Sequence, residues 1–178
     1  KWKSEFLKVC DFLKIDGYDI GYFDDEIRHL DLIPQSDLIE LIEFKSKVSI
    51  SKIKPTIVAI PTIFSTHQDH TQTYTVSMSA LRQHPQKIKI LPKMVLSYES
   101  PEYNFWSAYS EFGRFSPNYY QDLSKNSLKK KIKCLNYYQS QLRRGHRDGK
   151  QLTNLASTRG NEIGIDYAES YHIHRMIN

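Results

Sequence analysis

The chain has 178 residues, of which 39% are hydrophobic and 25% are charged, and this composition suits one globular domain with a sizeable core. No apolar run reaches the roughly 18 residues that a membrane span needs, and the charged opening K-W-K-S-E-F is unlike a signal peptide. The net charge of +5 does not by itself indicate nucleic acid, and two distant cysteines without a C-x-x-C motif predict a reduced, cytoplasmic protein.

The first part of the chain predicts two helices with a short strand between them. Apolar residues recur at helical spacing from Ser4 to Leu13, and Asp16 and Gly17 then form a turn. Tyr18 to Phe23 is predicted as a short strand. A second helix is predicted from Leu38 to about Val48, with Ser36 as its N-cap.

The middle of the chain alternates between strands and helices. Residues 56–60, T-I-V-A-I, are apolar and β-branched without alternation, which is typical of a strand buried on both faces. A helix is predicted from His67 to Gln83, a strand from Met94 to Tyr98 and another helix from Leu123 to Leu142. The alternation predicts one α/β domain over residues 1–178 with a parallel sheet, although three strands are few for such a sheet.

Residues 66–70, T-H-Q-D-H, place two histidines and a carboxylate directly after the apolar strand. One interpretation is structural, because Thr66 can cap the following helix and Asp69 can complete a capping box. The other is functional, because open α/β sheets bind ligands beyond the carboxyl ends of their strands, and His67 and His70 share one helix face. Imidazole is a good zinc ligand, but a catalytic zinc site normally has three protein ligands and an open water position.

This stretch and several others resemble the LmbE/PIG-L family of zinc-dependent N-acetyl-sugar deacetylases. I-V-A-I-P-T-I-F-S-T-H-Q-D-H is similar to the second signature of the family, and D-I-G-Y-F-D-D is similar to its acidic turn. V-L-S-Y-E-S-P resembles the strand after the histidine helix, and L-A-S-T-R-G-N-E-I-G-I-D-Y-A-E-S-Y resembles the closing motif. These matches run in order through nearly all 178 residues, so the functional interpretation of the histidines is preferred.

The resemblance implies roles for five residues in hydrolysis of an N-acetylglucosamine-type sugar conjugate. His70 would be a Zn²⁺ ligand, His67 would polarise the substrate carbonyl or act as an acid, and Asp69 would orient a histidine. Asp24 and Glu99 would contact the substrate, although a second aspartate follows Asp24 where the family has glycine, and Glu99 could equally cap a helix. The family often assembles, so a homo-oligomer is also implied.

One part of the family pattern has no counterpart in this sequence. The first signature, H-P-D-D-E, supplies two more zinc ligands and the general base, and it does not occur in the chain. The resemblance therefore implies a Rossmann-like three-layer α/β/α fold with a mostly parallel sheet, lacking the first strand, helix and second strand of the family. We expect deacetylation only when the missing N-terminal segment is supplied.

Two alternative functions stay open. The chain could be a non-catalytic sugar-binding or scaffold member of the same fold. It could also be a basic nucleic-acid-binding module, for which the evidence would be Lys129–Lys133 and Arg143–Arg147. Ile132 interrupts the lysines, as on a solvated helix face, so nucleic acid is the weaker alternative.

The C-terminus carries two further histidines in the stretch Y-H-I-H, residues 171–174. The alternation of His172 and His174 suits a strand or an extended tail. We predict a solvated tail, because chain termini are commonly poorly ordered.

Overall fold

A computed structural model describes residues 2–22, 29–65, 67–85, 91–101, 113–142 and 148–178. The strands are β1 (Ile57–Pro61), β2 (Met94–Tyr98), β3 (Tyr119–Asp122) and β4 (Ala168–Met176). The helices are α1 (Trp2–Leu13), α2 (Gln35–Glu40), α3 (Ile50–Ile53), α4 (Gln68–Ala80), α5 (Lys125–Tyr137), α6 (Gln139–Leu142) and α7 (Gly149–Asn161). A short 3₁₀ turn at Leu30–Leu32 precedes α2, and a π-helical turn at Leu41–Lys45 follows it. Each helix in the described ranges is too short or too polar to span a bilayer.

The four strands form a mixed sheet in the order β1–β2–β4–β3. β1 and β2 are parallel, with Ile57 opposite Met94 and Pro61 opposite Tyr98. β4 runs antiparallel to β2, and its register shifts beside Val95 and Leu96. Helices flank this sheet, so the predicted α/β class is confirmed. The sheet contains both a parallel and an antiparallel pair of strands.

One compact unit of the chain comprises Gly17–Pro117 and Tyr171–Asn178. Its core is a cluster of apolar side chains from α3, β1, α4 and β2 and their ends: Ile50, Ile60, Ala80, Leu81 and Val95. Because α4 packs directly against β1, the connection between them is held at both ends by the core. The histidines at the start of α4 are therefore attached to a packed scaffold.

The second compact unit comprises Lys1–Asp16 and Asn118–Ser170, in which α1 packs on α5 and α5 on α7. Glu5 of α1 is only 5% exposed, and its carboxylate accepts hydrogen bonds from the backbone N–H and the hydroxyl of Ser140. The ring of Phe12 lies 5.7 Å from that of Tyr137. Since a buried carboxylate is costly unless its oxygens are bonded, the Glu5–Ser140 contact is central to this unit. That residues 1–178 form a single domain stays a prediction.

Gly160 explains part of the segment that resembles the family's closing motif. A Cβ at this position would lie 2.6 Å from the carbonyl oxygen of Ile165 and 2.7 Å from the nitrogen of Tyr167, so any side chain would displace backbone. The neighbouring Arg159 forms an ion pair with Glu162 at 2.6 Å. These contacts give the R-G dipeptide a structural role at the end of α7.

Several local predictions are wrong. Tyr18–Tyr22 forms no regular strand, and Pro34 rather than Ser36 precedes the first turn of α2. The predicted C-terminal tail is instead β4, because His172 and Tyr171 pair with residues at the end of β2. β3 and α7 were not predicted, since their side chains show weak periodicity.

The prediction that the first apolar strand is buried on both faces is also wrong. Ile60 is 3% exposed, but Ile57 is 58% exposed. Within the described ranges β1 is hydrogen-bonded to a neighbour on one side, β2, and its other edge is open. A groove of about 450 Å³ adjoins this edge and is lined mainly by apolar residues, including Leu41, Val48, Ile53, Ile57 and Val58.

We predict that Glu5→Gln lowers the free energy of unfolding by about 1–3 kcal/mol, because it weakens two charge-assisted hydrogen bonds in a buried site. The matched control is Glu40→Gln, which removes an exposed ion pair with Lys45 at 2.7 Å and should change stability by less than about 0.5 kcal/mol. Urea denaturation of the three proteins measures both effects. Equal stability of the two variants would contradict the role assigned to Glu5.

Candidate functional site

The connection from β1 to α4 is built by hydroxyl side chains. The Thr62 hydroxyl oxygen accepts the N–H of Phe64 at 3.3 Å, and the Ser65 hydroxyl oxygen accepts the N–H of His67 at 3.1 Å. The hydroxyl of Thr71, on the first turn of α4, donates to the carbonyl oxygen of Ser65 at 3.2 Å. Serine and threonine stabilise such tight turns because their oxygens bond to backbone groups two residues away. These hydrogen bonds hold the described residues on either side of Thr66 at the carboxyl end of β1.

His67 is the N-cap of α4, and its ring nitrogen Nδ1 accepts the backbone N–H of Asp69 at 3.3 Å. The predicted cap, Thr66, lies outside the described residues, and the capping position belongs to His67. A nitrogen that accepts a hydrogen bond carries a lone pair, so we assign the neutral ring the tautomer with its proton on Nε2. The side chain is 57% exposed, which leaves this N–H group as a donor at the open side of the turn.

Asp69 is buried beneath the histidine, with 8% of its surface exposed. One carboxylate oxygen, Oδ2, lies 3.7 Å from Nδ1 of His67. The other, Oδ1, is buried and has no hydrogen-bond partner among the described residues. The first turn of a helix favours negative charge, but an unpaired buried oxygen is still costly. The carboxylate of Asp69 is therefore close enough to balance a positive charge on His67. Its Oδ1 atom can still accept a hydrogen bond.

His70 stands one turn further along α4, with its ring centre 5.0 Å from that of His67 and the two rings stacked at 24°. Its Nδ1 lies 3.2 Å from the hydroxyl oxygen of Ser65. When Nδ1 carries the proton and donates it to Ser65, Nε2 carries a lone pair that can bind a metal ion. When the hydroxyl donates instead, Nε2 carries the proton and cannot bind. The contact with Ser65 is thus compatible with either tautomer, and only the one with its proton on Nδ1 leaves Nε2 able to bind a metal ion.

Sequence reasoning missed Ser65. Its signal is local: a serine two residues before a potential helix start can accept the N–H that the turn exposes. Ser65 becomes a candidate functional residue only because it also contacts His70, and that contact depends on the fold of the connection.

The structure brings three of the five predicted site residues together, His67, Asp69 and His70. Glu99 directly follows β2, the parallel neighbour of β1, and so lies at the same end of the sheet in a half-buried position. Asp24 lies outside the described residues. The two adjacent parallel strand ends form the kind of sheet edge where α/β proteins bind ligands.

The described residues do not by themselves make a complete zinc site. No group of three histidine, cysteine, aspartate or glutamate side chains in the described ranges is arranged to hold a metal ion. His70 fits one ligand position, because Ser65 can hold its ring by Nδ1 and direct the lone pair to Nε2. A catalytic zinc would need two further protein ligands.

Comparisons with known proteins show the fold. No protein-family model matches this chain, and no curated protein matches it. The conserved protein TT1542 from Thermus thermophilus is similar, with a TM-score of 0.69, 16% identity, and coverage of 99% of this chain and 74% of that one. The N,N'-diacetylchitobiose deacetylase from Pyrococcus horikoshii has a TM-score of 0.61 at 19% identity, with 96% and 62% covered.

A third solved structure, the zinc-inhibited form of the teicoplanin deacetylase Orf2, has a TM-score of 0.64 at 15% identity, with 96% of this chain and 72% of that one covered. At these identities the likeness concerns the fold. This chain thus spans between 62% and 74% of the length of the three solved proteins and shares the α/β fold of deacetylases.

We predict that His67→Ala lowers the free energy of unfolding by about 1 kcal/mol, because α4 loses its N-cap. His67→Asn should restore most of that loss, since asparagine is among the best N-cap residues. Thermal or urea denaturation measures both. If His67→Ala and His67→Asn were equally stable, the side chain of residue 67 would not cap α4.

Proposed function

We propose that this chain is the histidine-bearing part of a zinc-dependent deacetylase of the LmbE/PIG-L type, acting on an N-acetylglucosamine-type sugar conjugate. The observation that carries the proposal is the cluster of His67, Asp69 and His70 at the carboxyl end of β1. The cluster sits in a fold shared with solved deacetylases, one of which is named for a diacetylated chitobiose. Membership of the family rests on the sequence motifs together with this fold.

In the proposed reaction, His67 donates a hydrogen bond from Nε2 to the carbonyl oxygen of the substrate acetamide. The backbone N–H of Asp69 holds Nδ1 as an acceptor, so the neutral ring already presents the donor that the oxygen needs. This hydrogen bond strengthens as negative charge develops on the oxygen in the transition state. A second proton would occupy Nδ1 in place of the hydrogen bond from the N–H of Asp69, and the carboxylate of Asp69 at 3.7 Å would then be the counter-ion.

His70 would contribute one zinc ligand through Nε2, with its other nitrogen held by Ser65. A zinc ion, when bound, would polarise the acetamide carbonyl and acidify a water molecule. The other two ligands and the general base would come from an N-terminal segment that carries H-P-D-D-E. The neighbours' greater length and the open edge of β1, with Ile57 58% exposed, support an additional strand there. A parallel strand at that edge would end beside the histidines.

Glu99 is proposed as a substrate contact because it follows the strand next to β1 and its carboxylate could accept hydrogen bonds from sugar hydroxyls. Asp24 is proposed for the same task from the sequence resemblance. A reducing, cytoplasmic setting agrees with Cys10 and Cys134, which are both free thiols.

The basic helix α5 gives less support to nucleic acid as the partner. Lys131 forms an ion pair with Glu169, and the ammonium group of Lys133 lies 4.5 Å from the ring centre of Phe12. Two of the lysines in the run Lys129–Lys133 therefore have intramolecular partners. On α5 alone, a phosphate-binding surface would need a larger set of free positive charges. The other basic run, Arg143–Arg147, lies outside the described residues.

We predict that the 178-residue chain alone releases no acetate from an N-acetylglucosamine conjugate, and that the same chain joined to an upstream segment with H-P-D-D-E does. In the joined chain, His67→Asn should lower kcat about 10²–10³-fold, because it removes the donor to the oxyanion while keeping the helix cap. Acetate release is followed by a coupled assay. Activity of the shorter chain alone, or an inert joined chain that is folded and loaded with zinc, would contradict the proposal.

We also predict that Ser65→Ala weakens zinc binding by the joined chain about 10–100-fold, as expected for loss of a hydrogen bond that orients a ligand histidine. The control is Thr75→Ala, whose hydroxyl donates to the carbonyl oxygen of Thr71 further along α4 and should leave zinc affinity unchanged. Competition with a chromophoric chelator measures the affinity. An unchanged value for Ser65→Ala would show that Ser65 does not orient His70.

A further inference from the structure

The two C-terminal histidines form a cluster that the proposed reaction does not use. Both residues lie on β4, where the register shift beside Val95 and Leu96 leaves His174 as the extra residue. Their ring centres lie 4.9 Å apart, and the rings are tilted at 56°. We propose that His172 and His174 form a two-histidine chelate for a divalent transition-metal ion of the copper, nickel and zinc group.

The hydrogen bonds of His172 fix one nitrogen as a donor and leave the other with its lone pair. Its Nδ1 lies 2.8 Å from the carbonyl oxygen of Ser116. A carbonyl oxygen can only accept, so Nδ1 carries the proton and Nε2 keeps its lone pair. Histidines that bind metals commonly donate their second N–H to a backbone carbonyl in this manner. His172 is therefore in the tautomer of a ligand.

His174 is held in a comparable way. Its Nε2 lies 3.2 Å from the hydroxyl oxygen of Ser97, a residue that is 3% exposed. Either group can donate in this contact, and in the tautomer with its proton on Nε2 the other nitrogen, Nδ1, keeps its lone pair. The ring of Tyr74 meets that of His174 edge to face at 5.7 Å and helps to fix its plane. Two imidazoles are thus each positioned by a partner outside their own strand.

The spacing of the rings matches a shared metal ion. Metal–nitrogen bonds of about 2.1 Å and a nitrogen–metal–nitrogen angle of about 90–110° put two imidazole centres about 4.5–5.2 Å apart. The value for His172 and His174 is 4.9 Å, which lies within this range. His67 and His70 are equally close at 5.0 Å, but at 24° their rings are nearly parallel, an arrangement that suits separate roles.

The set of ligands decides which metal ions this pair would take. In the described ranges no third histidine, cysteine or carboxylate completes a set of ligands, so water would occupy the other positions. Nitrogen ligands with water suit Cu²⁺, Ni²⁺ and Zn²⁺, with Cu²⁺ bound most tightly.

The test is calorimetric titration with Ni²⁺ in a His70→Gln background, which removes the ligand of the proposed active site. We expect His172→Gln and His174→Gln each to weaken Ni²⁺ binding about tenfold or more, because each leaves a single imidazole. The matched control is His29→Gln, an exposed histidine elsewhere in the chain, which should leave the affinity unchanged. Equal affinity in the background protein and all three variants would overturn the proposal.

A second measurement avoids substitution, in case a variant in β4 unfolds. Substoichiometric Ni²⁺ added to the unsubstituted chain should broaden the ring proton resonances of His172 and His174 before those of the other histidines. Prior or equal broadening of any other pair would overturn the proposal. Because neither measurement involves acetate release, failure here is separate from failure of the deacetylase proposal.

Discussion

The site depends on how the chain passes from β1 into α4. Space for this turn is limited, because both elements pack on the same core, and three side chains supply the hydrogen bonds that its backbone lacks. The last of these is the ring of His67, which accepts the N–H of Asp69 and so caps the helix. Capping fixes the tautomer of His67 and buries Asp69 beneath it. The ring of His70 is then brought within reach of Ser65. The same hydrogen bonds that satisfy the backbone of this connection also position the side chains of His67, Asp69 and His70.

His67 would have two tasks that act through different atoms. Nδ1 accepts the backbone N–H of Asp69, and in the proposed reaction Nε2 would donate to the substrate oxygen. In the proposed site His70 would be one metal ligand and the carboxylate of Asp69 would balance charge, which is part of what a zinc hydrolase needs. Among the described residues one edge of β1 is open and an apolar groove adjoins it. The proposal places at this edge the strand that would bring the remaining ligands.

Sequence reasoning succeeded where signals are local. The apolar run of β1, the helix after it and the strand at Met94–Tyr98 follow from composition and periodicity, and His67, Asp69 and His70 are adjacent in the chain. It failed where partners are distant. His172 lies in a strand only because β2 pairs with this segment, at Ser97. Ile57 is exposed because the second neighbouring strand that the prediction assumed is not among the described residues. The cap was assigned to Thr66 because threonine is the commoner capping residue, whereas ring geometry gives it to His67.

The central claim is that this chain contributes one part of a larger hydrolytic site. The most direct measurement is the intact mass and N-terminal sequence of the protein as its native source produces it. The account predicts a mass well above 20.9 kDa, with an H-P-D-D-E segment upstream of Lys1. A native protein of 20.9 kDa that begins at Lys1, with no second chain that carries such a segment, would contradict it.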